Sequence, residues 1–162
     1  MTSIVWVVAP LFHRYVIPVI FASSVIFWNW HKGKVSSVDG INFQNSNTFF
    51  DVPGGLQTAY VREKNGCGQT AQNFVVLVFP AFFTPNNDSY NDLWEVTGME
   101  NYPQAEVTIF DRYGKLIAQL TSSKMSWDGT LNKIPLPASD YWYALKIDDT
   151  KPILRGHFSL KR

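Results

Sequence analysis

Short runs of alternating apolar residues, separated by turn-forming residues, most constrain the fold of this chain. Residues 141–147 and 154–160 place apolar or glycine residues at every second position, and Leu116, Ala118 and Leu120 repeat the pattern. Alternation with a period of two is typical of strands with one buried face. Short strands at such intervals predict an all-β fold, a small immunoglobulin-like β-sandwich with a partial β repeat and an apolar N-terminal segment.

The composition agrees with a packed, β-rich protein. The 162 residues are 46% hydrophobic and 15% aromatic, and the formal net charge is +1. Aromatic residues favour strands, and the near-neutral charge gives no reason to expect nucleic acid or an anionic membrane as a partner. Cys67 is the single cysteine, so the sequence predicts neither an internal disulfide nor a zinc site.

Three regions follow one another along the chain. Residues 1–34 are an apolar segment of doubtful origin, which fits a membrane helix, a secretory signal or a reading frame that starts inside a longer gene. A membrane helix would hold Arg14 near the bilayer centre at about 3 kcal/mol or more, and a signal would contain Pro18 in a short apolar stretch. Residues 35–78 predict strands and turns, with a hairpin whose turn lies at 63–68. Residues 79–162 form the coherent β unit.

The stretch FTPNNDSYNDLW at 83–94 has two interpretations. Asn86, Asp88 and Asp92 could supply oxygen ligands to calcium. Tyr90 holds a position that the EF-hand spacing requires as a ligand, so that spacing is not met. The sequence favours the alternative, a turn in which Asn and Asp side chains bond the local backbone. We therefore predict no metal site.

No pattern indicates an enzyme or a cofactor. Nucleophilic catalysis needs a Ser or Cys beside a base, and His157 is placed on the polar face of a predicted strand. The Asp residues stand in turn contexts rather than as a carboxylate pair across a cleft. Aromatic residues such as Tyr90, Trp127 and Trp142 could stack on sugars, which leaves open a carbohydrate-binding or adhesive β-sandwich of a surface protein, with glycans or other adhesin partners. Most of these aromatic residues are better explained as core or turn anchors of a small sandwich.

Five motifs occur in a fixed order: FTPNNDSYNDLW, VTIFDRYGKLI, WDGT, PLPASDYWYAL and GHFSLKR. Together they resemble the gliding-motility-associated C-terminal domain, the type B sorting domain of type IX secretion, over residues 79–162. That family usually has Gly after FTPN and again after the following Asp, where this chain has Asn87 and Ser89. Residues 35–78 resemble the end of the immunoglobulin-like repeats of adhesins, without the second Cys that such repeats often carry.

The resemblance implies a non-enzymatic delivery role. Such a domain directs an exported protein from the periplasm across the outer membrane to the cell surface or medium, and its partner is the type IX machinery. A sorting signal is expected to end its chain, as GHFSLKR does. We also expect Lys161 and Arg162 to lie beside an exposed sheet edge, which can pair with a partner strand.

The candidate recognition or structural residues belong to the motif turns and the terminal strand. Gly114 is expected to take a positive φ in the turn of DRYGK. The whole predicted set is Phe83, Thr84, Pro85, Asn86, Asn91, Asp92, Asp111, Arg112, Gly114, Trp127, Asp128, Gly129, Gly156, Phe158, Lys161 and Arg162.

Overall fold

The structure is a computed structural model that describes residues 4–8, 18–21, 24–27, 33–66 and 68–162, the first three ranges by their backbone alone. The described part is nearly all β, which confirms the all-β prediction. Its one helical turn is a 3-10 turn, Met99–Asn101. The strands are β1 (Ile4–Val8), β2 (Pro18–Phe21), β3 (Ser24–Phe27), β4 (Lys34–Ser37), β5 (Thr48–Phe50), β6 (Gly55–Glu63), β7 (Gln69–Phe79), β8 (Phe82–Phe83), β9 (Trp94–Glu95), β10 (Glu106–Phe110), β11 (Leu116–Leu120), β12 (Ser126–Trp127), β13 (Thr130–Leu131), β14 (Ile134–Pro135), β15 (Ser139–Lys146) and β16 (Leu154–Leu160).

The chain divides into two units, Thr2–Val78 and Phe79–Arg162. In the first unit, β6 and β7 form the predicted antiparallel hairpin, in register from Gly55 opposite Val76 to Arg62 opposite Gln69. This hairpin lies in a sheet of order β1-β7-β6-β4, and β2, β3 and β5 form another. The buried core of this unit includes Phe49, Ala59, Phe74 and Val76.

The apolar segment 1–34 contributes strands β1, β2 and β3 to this unit where it is described. Among the described residues, the search for a helix that is long and apolar enough to cross a membrane finds none. The membrane and signal interpretations both depend on Arg14, which lies outside the described residues, as does Cys67.

The second unit is a small β-sandwich. Its larger layer is a five-stranded sheet of order β11-β10-β15-β16-β8, and the short pairs β12-β9 and β13-β14 supply further strands. The predicted alternation in β15 and β16 is confirmed, since Tyr141, Tyr143, Phe158 and Leu160 are all buried. These side chains form the inner face of the large sheet.

Two tryptophans from β9 and β12 close the core over that inner face. The Trp94 ring stacks on Phe158 at 4.1 Å between centroids, and the Trp127 ring meets Tyr141 edge-on at 5.1 Å. Each buried indole N–H has a partner, because Trp94 donates to the Pro80 carbonyl at 3.0 Å and Trp127 to the Thr130 carbonyl at 2.8 Å. The core is therefore aromatic and its polar atoms at these rings are satisfied.

The predicted alternation of β11 is wrong at its start. Leu116 is 51% exposed, whereas Ile117 is buried. The cause is a β-bulge, because Ile109 pairs with Ala118 but the next residue, Phe110, pairs with Leu116. The extra residue, Ile117, turns inward and moves Leu116 to the outer face.

The expectation that the last strand borders an exposed sheet edge also needs correction. β16 lies between β15 and β8, and β8 pairs with it in parallel at Ser159 and Leu160. The Lys161 N–H then donates to the Phe83 carbonyl at 3.0 Å. The chain enters this unit beside the point where it leaves, so β8 covers the final residues of β16.

Candidate functional site

The loops that carry the five motifs emerge at one end of the second unit. Leu160 near the end of β16 lies opposite both Phe83, which ends β8, and Ser139, which begins β15. Phe110, which ends β10, lies opposite Trp142 of β15. We call this region the motif end, and it comprises residues 84–93, 111–115, 127–130, 136–139 and 161–162.

Asp92 organises the first loop of the motif end. Its carboxylate accepts backbone N–H hydrogen bonds from Asn86 at 2.9 Å, Asn87 at 2.7 Å and Ser89 at 2.8 Å. The Thr84 N–H donates to the Asn91 carbonyl at 2.7 Å, which closes the loop. Both carboxylate oxygens of Asp92 therefore serve the local backbone, as the turn interpretation requires.

Asp88 makes a second turn inside the same loop. It accepts the Asn86 side-chain amide at 2.8 Å and the Tyr90 N–H at 2.8 Å, and these bonds lower the pKa of its carboxyl group. Among the described residues, no group of three or more His, Cys, Asp or Glu side chains is placed to hold a metal ion. The absence of a metal site stays a prediction, with calcium at Asn86, Asp88 and Asp92 as its alternative.

Three residues of this loop have left-handed backbone conformations. Asn87 has φ 61°, Ser89 has φ 69° and Asn91 has φ 52°. Glycine adopts such conformations without steric cost, whereas other residues pay for them in strain. Asn87 and Ser89 are the two positions at which the resembling family usually has Gly, so the backbone explains the family pattern.

The DRYGK turn joins β10 to β11. The Asp111 carboxylate accepts the N–H groups of Tyr113 at 2.8 Å and Lys115 at 2.9 Å. Gly114 has φ 80°, as the sequence predicted. Arg112 reaches across to β15, where its Nη2 donates to the Ser139 hydroxyl at 3.2 Å.

The WDGT turn lies between β12 and β13. The Asp128 carboxylate accepts both the N–H and the hydroxyl of Thr130, at 3.0 and 2.8 Å. Gly129 is buried with φ 77°. A Cβ at this position would lie 2.7 Å from Leu160 Cδ1 and 3.2 Å from the Phe83 ring. The motifs WDGT, FTPN and GHFSLKR thus meet at one glycine.

Arg162 connects the terminal strand to two of the other motifs. Its Nε donates to the Leu136 carbonyl at 3.0 Å, and its Nη2 donates to the Gly129 carbonyl at 3.3 Å. The neighbouring Lys161 ammonium lies 4.4 Å from the centre of the Phe82 ring, a cation–π contact. The last two side chains are therefore docked on the unit.

Tyr141 lies beneath these charges. Its hydroxyl donates to the Pro137 carbonyl at 3.0 Å. Burial raises the pKa of Tyr141, the Asp111 carboxylate raises it further, and Arg162 and Arg112 oppose the shift. The charges of two motifs thus act on the phenol of a third.

Three of the predicted residues lie within the sheet instead of at the motif end: Phe83 of β8, and Gly156 and Phe158 of β16. Phe158 is fully buried in the aromatic core. Gly156 pairs with Tyr143, and a Cβ at Gly156 would lie 2.4 Å from the Tyr143 hydroxyl oxygen. Packing of the tyrosine ring over the strand explains this glycine.

The sequence left open that Tyr90, Trp127 and Trp142 form an exposed aromatic surface for sugars. The structure removes Trp127 from that set. Trp127 is 1% exposed, whereas Tyr90 and Trp142 are 72% and 41% exposed. Trp127 anchors its turn from inside the core, because its ring lies against Phe83 and Tyr141.

Sequence reasoning missed the partners of the two arginines. Ser139 receives Arg112, while Leu136 and Gly129 receive Arg162 through their backbone carbonyls. Every residue has a backbone carbonyl, so the residue type does not show which carbonyl accepts a hydrogen bond. No sequence signal could therefore have revealed Leu136 and Gly129. Ser139 stands in the PLPASDYWYAL motif, which was the available signal for it.

Residues 77–160 match the family described as CHU_C Type IX secretion signal domain. No curated protein and no solved structure matches the chain.

Proposed function

Because the chain belongs to the CHU_C type IX secretion signal domain family, we propose that residues 79–162 direct an exported protein from the periplasm across the outer membrane to the cell surface or medium. The family is one of sorting signals and not of enzymes. We propose accordingly that this unit acts through its folded surface, with the type IX machinery as its partner.

The observation that carries this proposal is the family match over nearly all of the second unit. The gathering of the motifs supports it. The carboxylates of Asp92, Asp111 and Asp128 each accept local backbone N–H bonds, and the Arg162 side chain holds two backbone carbonyls. Hydrogen bonds between these side chains and the backbone fix the conformation of the loops. A fixed loop conformation suits a surface that a partner recognises in its folded form.

The role of each candidate residue is part of the proposal. We propose that the motif end is a structural frame, in which Asp92, Asp111 and Asp128 fix the loops and Arg162 ties the last strand to them. Direct contact with the machinery is then made by side chains that the frame leaves exposed.

An export assay tests the sorting role. The chain is fused behind a secretory signal peptide and a fluorescent reporter, in a bacterium with an intact type IX system and in a strain that lacks it. We expect reporter at the surface or in the medium of the first strain, and reporter trapped in the periplasm of the second. A fusion that lacks residues 79–162 should stay in the periplasm of both. Equal export from both strains would refute the sorting role.

For residues 35–78 we propose the end of an immunoglobulin-like adhesin repeat. The β6–β7 hairpin supports this, because β7 leads directly into the second unit at Phe79. Reading the coding DNA upstream of Met1 in all frames is the test. Further repeat sequence there would agree with the proposal, and a promoter directly after a stop codon would contradict it.

A further inference from the structure

We infer that Asn65, in the turn between β6 and β7, is a site of spontaneous covalent modification, where the side-chain amide is lost as ammonia and the turn gains a carboxylate. Water is the co-reactant, and no enzyme is required. The site lies in the first unit, so it is independent of the sorting role of the second unit.

The chemistry is an attack by the main chain on its own side chain. The Gly66 backbone nitrogen gives its proton to hydroxide and forms a bond with Cγ of Asn65. The bond from Cγ to the amide nitrogen breaks, and this nitrogen takes a proton from water and leaves as ammonia. Water then opens the resulting five-membered succinimide ring at one of its two carbonyls, which yields aspartate or isoaspartate. In sum, one water enters and one ammonia leaves, without oxidation or reduction.

The residue after an asparagine decides how easily the main-chain nitrogen reaches Cγ. Gly66 has no side chain to hinder this approach, and glycine allows the widest range of backbone angles. Asn65 is the one asparagine of the sequence that a glycine follows. A Cβ at Gly66 would lie 2.8 Å from Glu63 Oε2, so the packing of the Glu63 side chain favours glycine at this position.

The turn leaves both reacting groups accessible. Asn65 and Gly66 are both exposed. Within the part of the chain that the structure describes, no hydrogen bond holds the Asn65 side chain. The Gly66 N–H reaches the Glu63 carbonyl at 3.5 Å, which is too long for a strong hydrogen bond. The motion that brings the two groups together therefore breaks no strong interaction.

Asp39 also precedes a glycine, and the structure protects it from the same reaction. Its carboxylate accepts the Ser37 hydroxyl at 2.6 Å and the Asn42 side-chain amide at 2.6 Å. These hydrogen bonds hold the pKa of the Asp39 carboxyl group well below its usual range. An ionised carboxylate repels the electron pair of an attacking nitrogen, so ring closure at Asp39 is slow.

Asp128 is the other aspartate before a glycine, and it is protected by its surroundings. Its carboxylate accepts both the N–H and the hydroxyl of Thr130. Gly129, which would supply the attacking nitrogen, is buried. Ring closure there requires the WDGT turn to open first, which costs free energy.

Asn132 provides a reference within the same chain. It is exposed in the turn between β13 and β14, as Asn65 is exposed in the turn between β6 and β7. The residue after Asn132 is Lys133, and its side chain hinders the approach of the main-chain nitrogen. The two turns therefore differ in the residue on which the reaction depends.

The modification alters both the charge and the backbone of the turn. A neutral amide becomes an anion, so the chain loses one unit of formal positive charge. Isoaspartate also adds one carbon to the main chain of the turn. The length of a turn helps to fix the register of its hairpin, and the nearest pair of that hairpin is Arg62 opposite Gln69.

Ageing of the full-length chain at mildly alkaline pH tests the site. Peptide mass spectrometry with electron-transfer fragmentation locates each converted residue and separates isoaspartate from aspartate. We expect conversion of Asn65 in the native chain to be at least about tenfold faster than conversion of Asn132, because no side chain hinders the attack. The rate at Asn65 in guanidinium chloride should lie within about threefold of its native rate, since the native turn is already open.

Asn65→Gln is the matched variant, because glutamine keeps the amide but must close a larger and slower-forming ring. On isoelectric focusing, the aged wild-type chain should gain a more acidic species that the aged variant lacks. Thermal unfolding of both chains before ageing checks that the fold is the same. The direct readout at Asn65 of the wild-type chain keeps the test decisive if the variant unfolds.

Three results would overturn the inference. One is conversion of Asn65 that is no faster than conversion of Asn132. Another is a rate at Asn65 that rises more than about tenfold in guanidinium chloride, which would show that the native turn protects it. The third is an acidic species that forms equally fast in Asn65→Gln, which would place the modification elsewhere in the chain.

Discussion

At the scale of single residues, Gly129 and Gly114 require the same backbone conformation in different surroundings. Both are left-handed, with φ 77° and 80°. A Cβ at Gly129 would overlap Leu160 Cδ1 at 2.7 Å, whereas a Cβ at Gly114 would meet nothing within 4 Å. Backbone strain therefore acts at both positions, and steric overlap acts at Gly129 alone.

We expect Gly114→Ala to lower the free energy of unfolding by about 1 kcal/mol, the cost of a left-handed residue with a side chain. Gly129→Ala should lower it by about 2–4 kcal/mol, because the core must also move. Urea unfolding of the full chain, followed by tryptophan fluorescence, measures both values. Equal losses would mean that Leu160 and Phe83 relax at no cost.

Tyr143 carries a buried hydroxyl group that has no hydrogen-bond partner among the described residues. Removing it should relieve a desolvation penalty. We expect Tyr143→Phe to raise the free energy of unfolding by about 1 kcal/mol. Tyr141→Phe is the matched control and should lower it by a similar amount, since the Tyr141 hydroxyl donates to the Pro137 carbonyl. A loss of stability in both variants would show that the Tyr143 hydroxyl is paired in solution.

The same hydroxyl makes stability depend on pH. Burial raises the pKa of Tyr143 from 10.0 to about 12. The unfolded chain loses this proton near its ordinary pKa, whereas the folded chain keeps it. Ionisation of Tyr143 therefore leaves the free energy of unfolding unchanged below pH 10 and lowers it as the pH rises towards 12. Between these values the wild-type chain should lose up to roughly 1.4 kcal/mol per pH unit more than Tyr143→Phe. Parallel curves for the two proteins would contradict this.

At the scale of elements, β16 connects the unit more than its length suggests. It pairs with β15 along its whole length and with β8 at its end. Its Phe158 ring also contacts both core tryptophans, Trp94 and Trp127. Loss of this strand removes the central ring of the aromatic core together with the partner of β8.

We expect a chain that lacks residues 158–162 to lose cooperative unfolding of the second unit, since a buried Phe alone contributes about 3–5 kcal/mol relative to Ala. Arg162→Ala should keep the fold and cost about 1–2 kcal/mol, because it removes the hydrogen bonds to Leu136 and Gly129. Near-ultraviolet circular dichroism reports tryptophan packing in both proteins. A truncated chain with a native spectrum would show that β16 is dispensable.

At the scale of the whole molecule, the second unit has its own core and its own sheet. A unit of this size is large enough to fold by itself, and its tightly packed aromatic rings contribute to its core. Phe79 belongs to it, since its ring stacks on Tyr143 at 4.7 Å.

Residues 79–162 produced alone should therefore fold with one cooperative urea transition and a near-ultraviolet signal from Trp94 and Trp127. The full chain is the reference, and a fragment that begins at residue 84 is the matched control. That fragment lacks Phe79 and β8, so we expect it to be less stable. A molten or helical 79–162 fragment would contradict the proposal that the type IX machinery recognises the folded surface of this unit.

Local patterns predicted much of the second unit. The strands β15 and β16 and the positive φ of Gly114 depend on neighbouring residues, which the sequence displays directly. The inward turn of Ile117 was missed, because a bulge depends on how two strands pair and not on either strand alone. Trp127 was predicted to anchor its turn, but the residues that cover it could not be predicted, since Phe83 and Tyr141 are distant from it in the chain.

By itself the sequence determined the all-β class, the order of the motifs and the family they belong to, since alternation and turn residues act over a few positions. The tertiary structure alone decided that these motifs meet at one end, with the end of the last strand covered by β8. Strand register and sheet order join residues that are distant in the chain, and such pairing energies are spread over the whole fold.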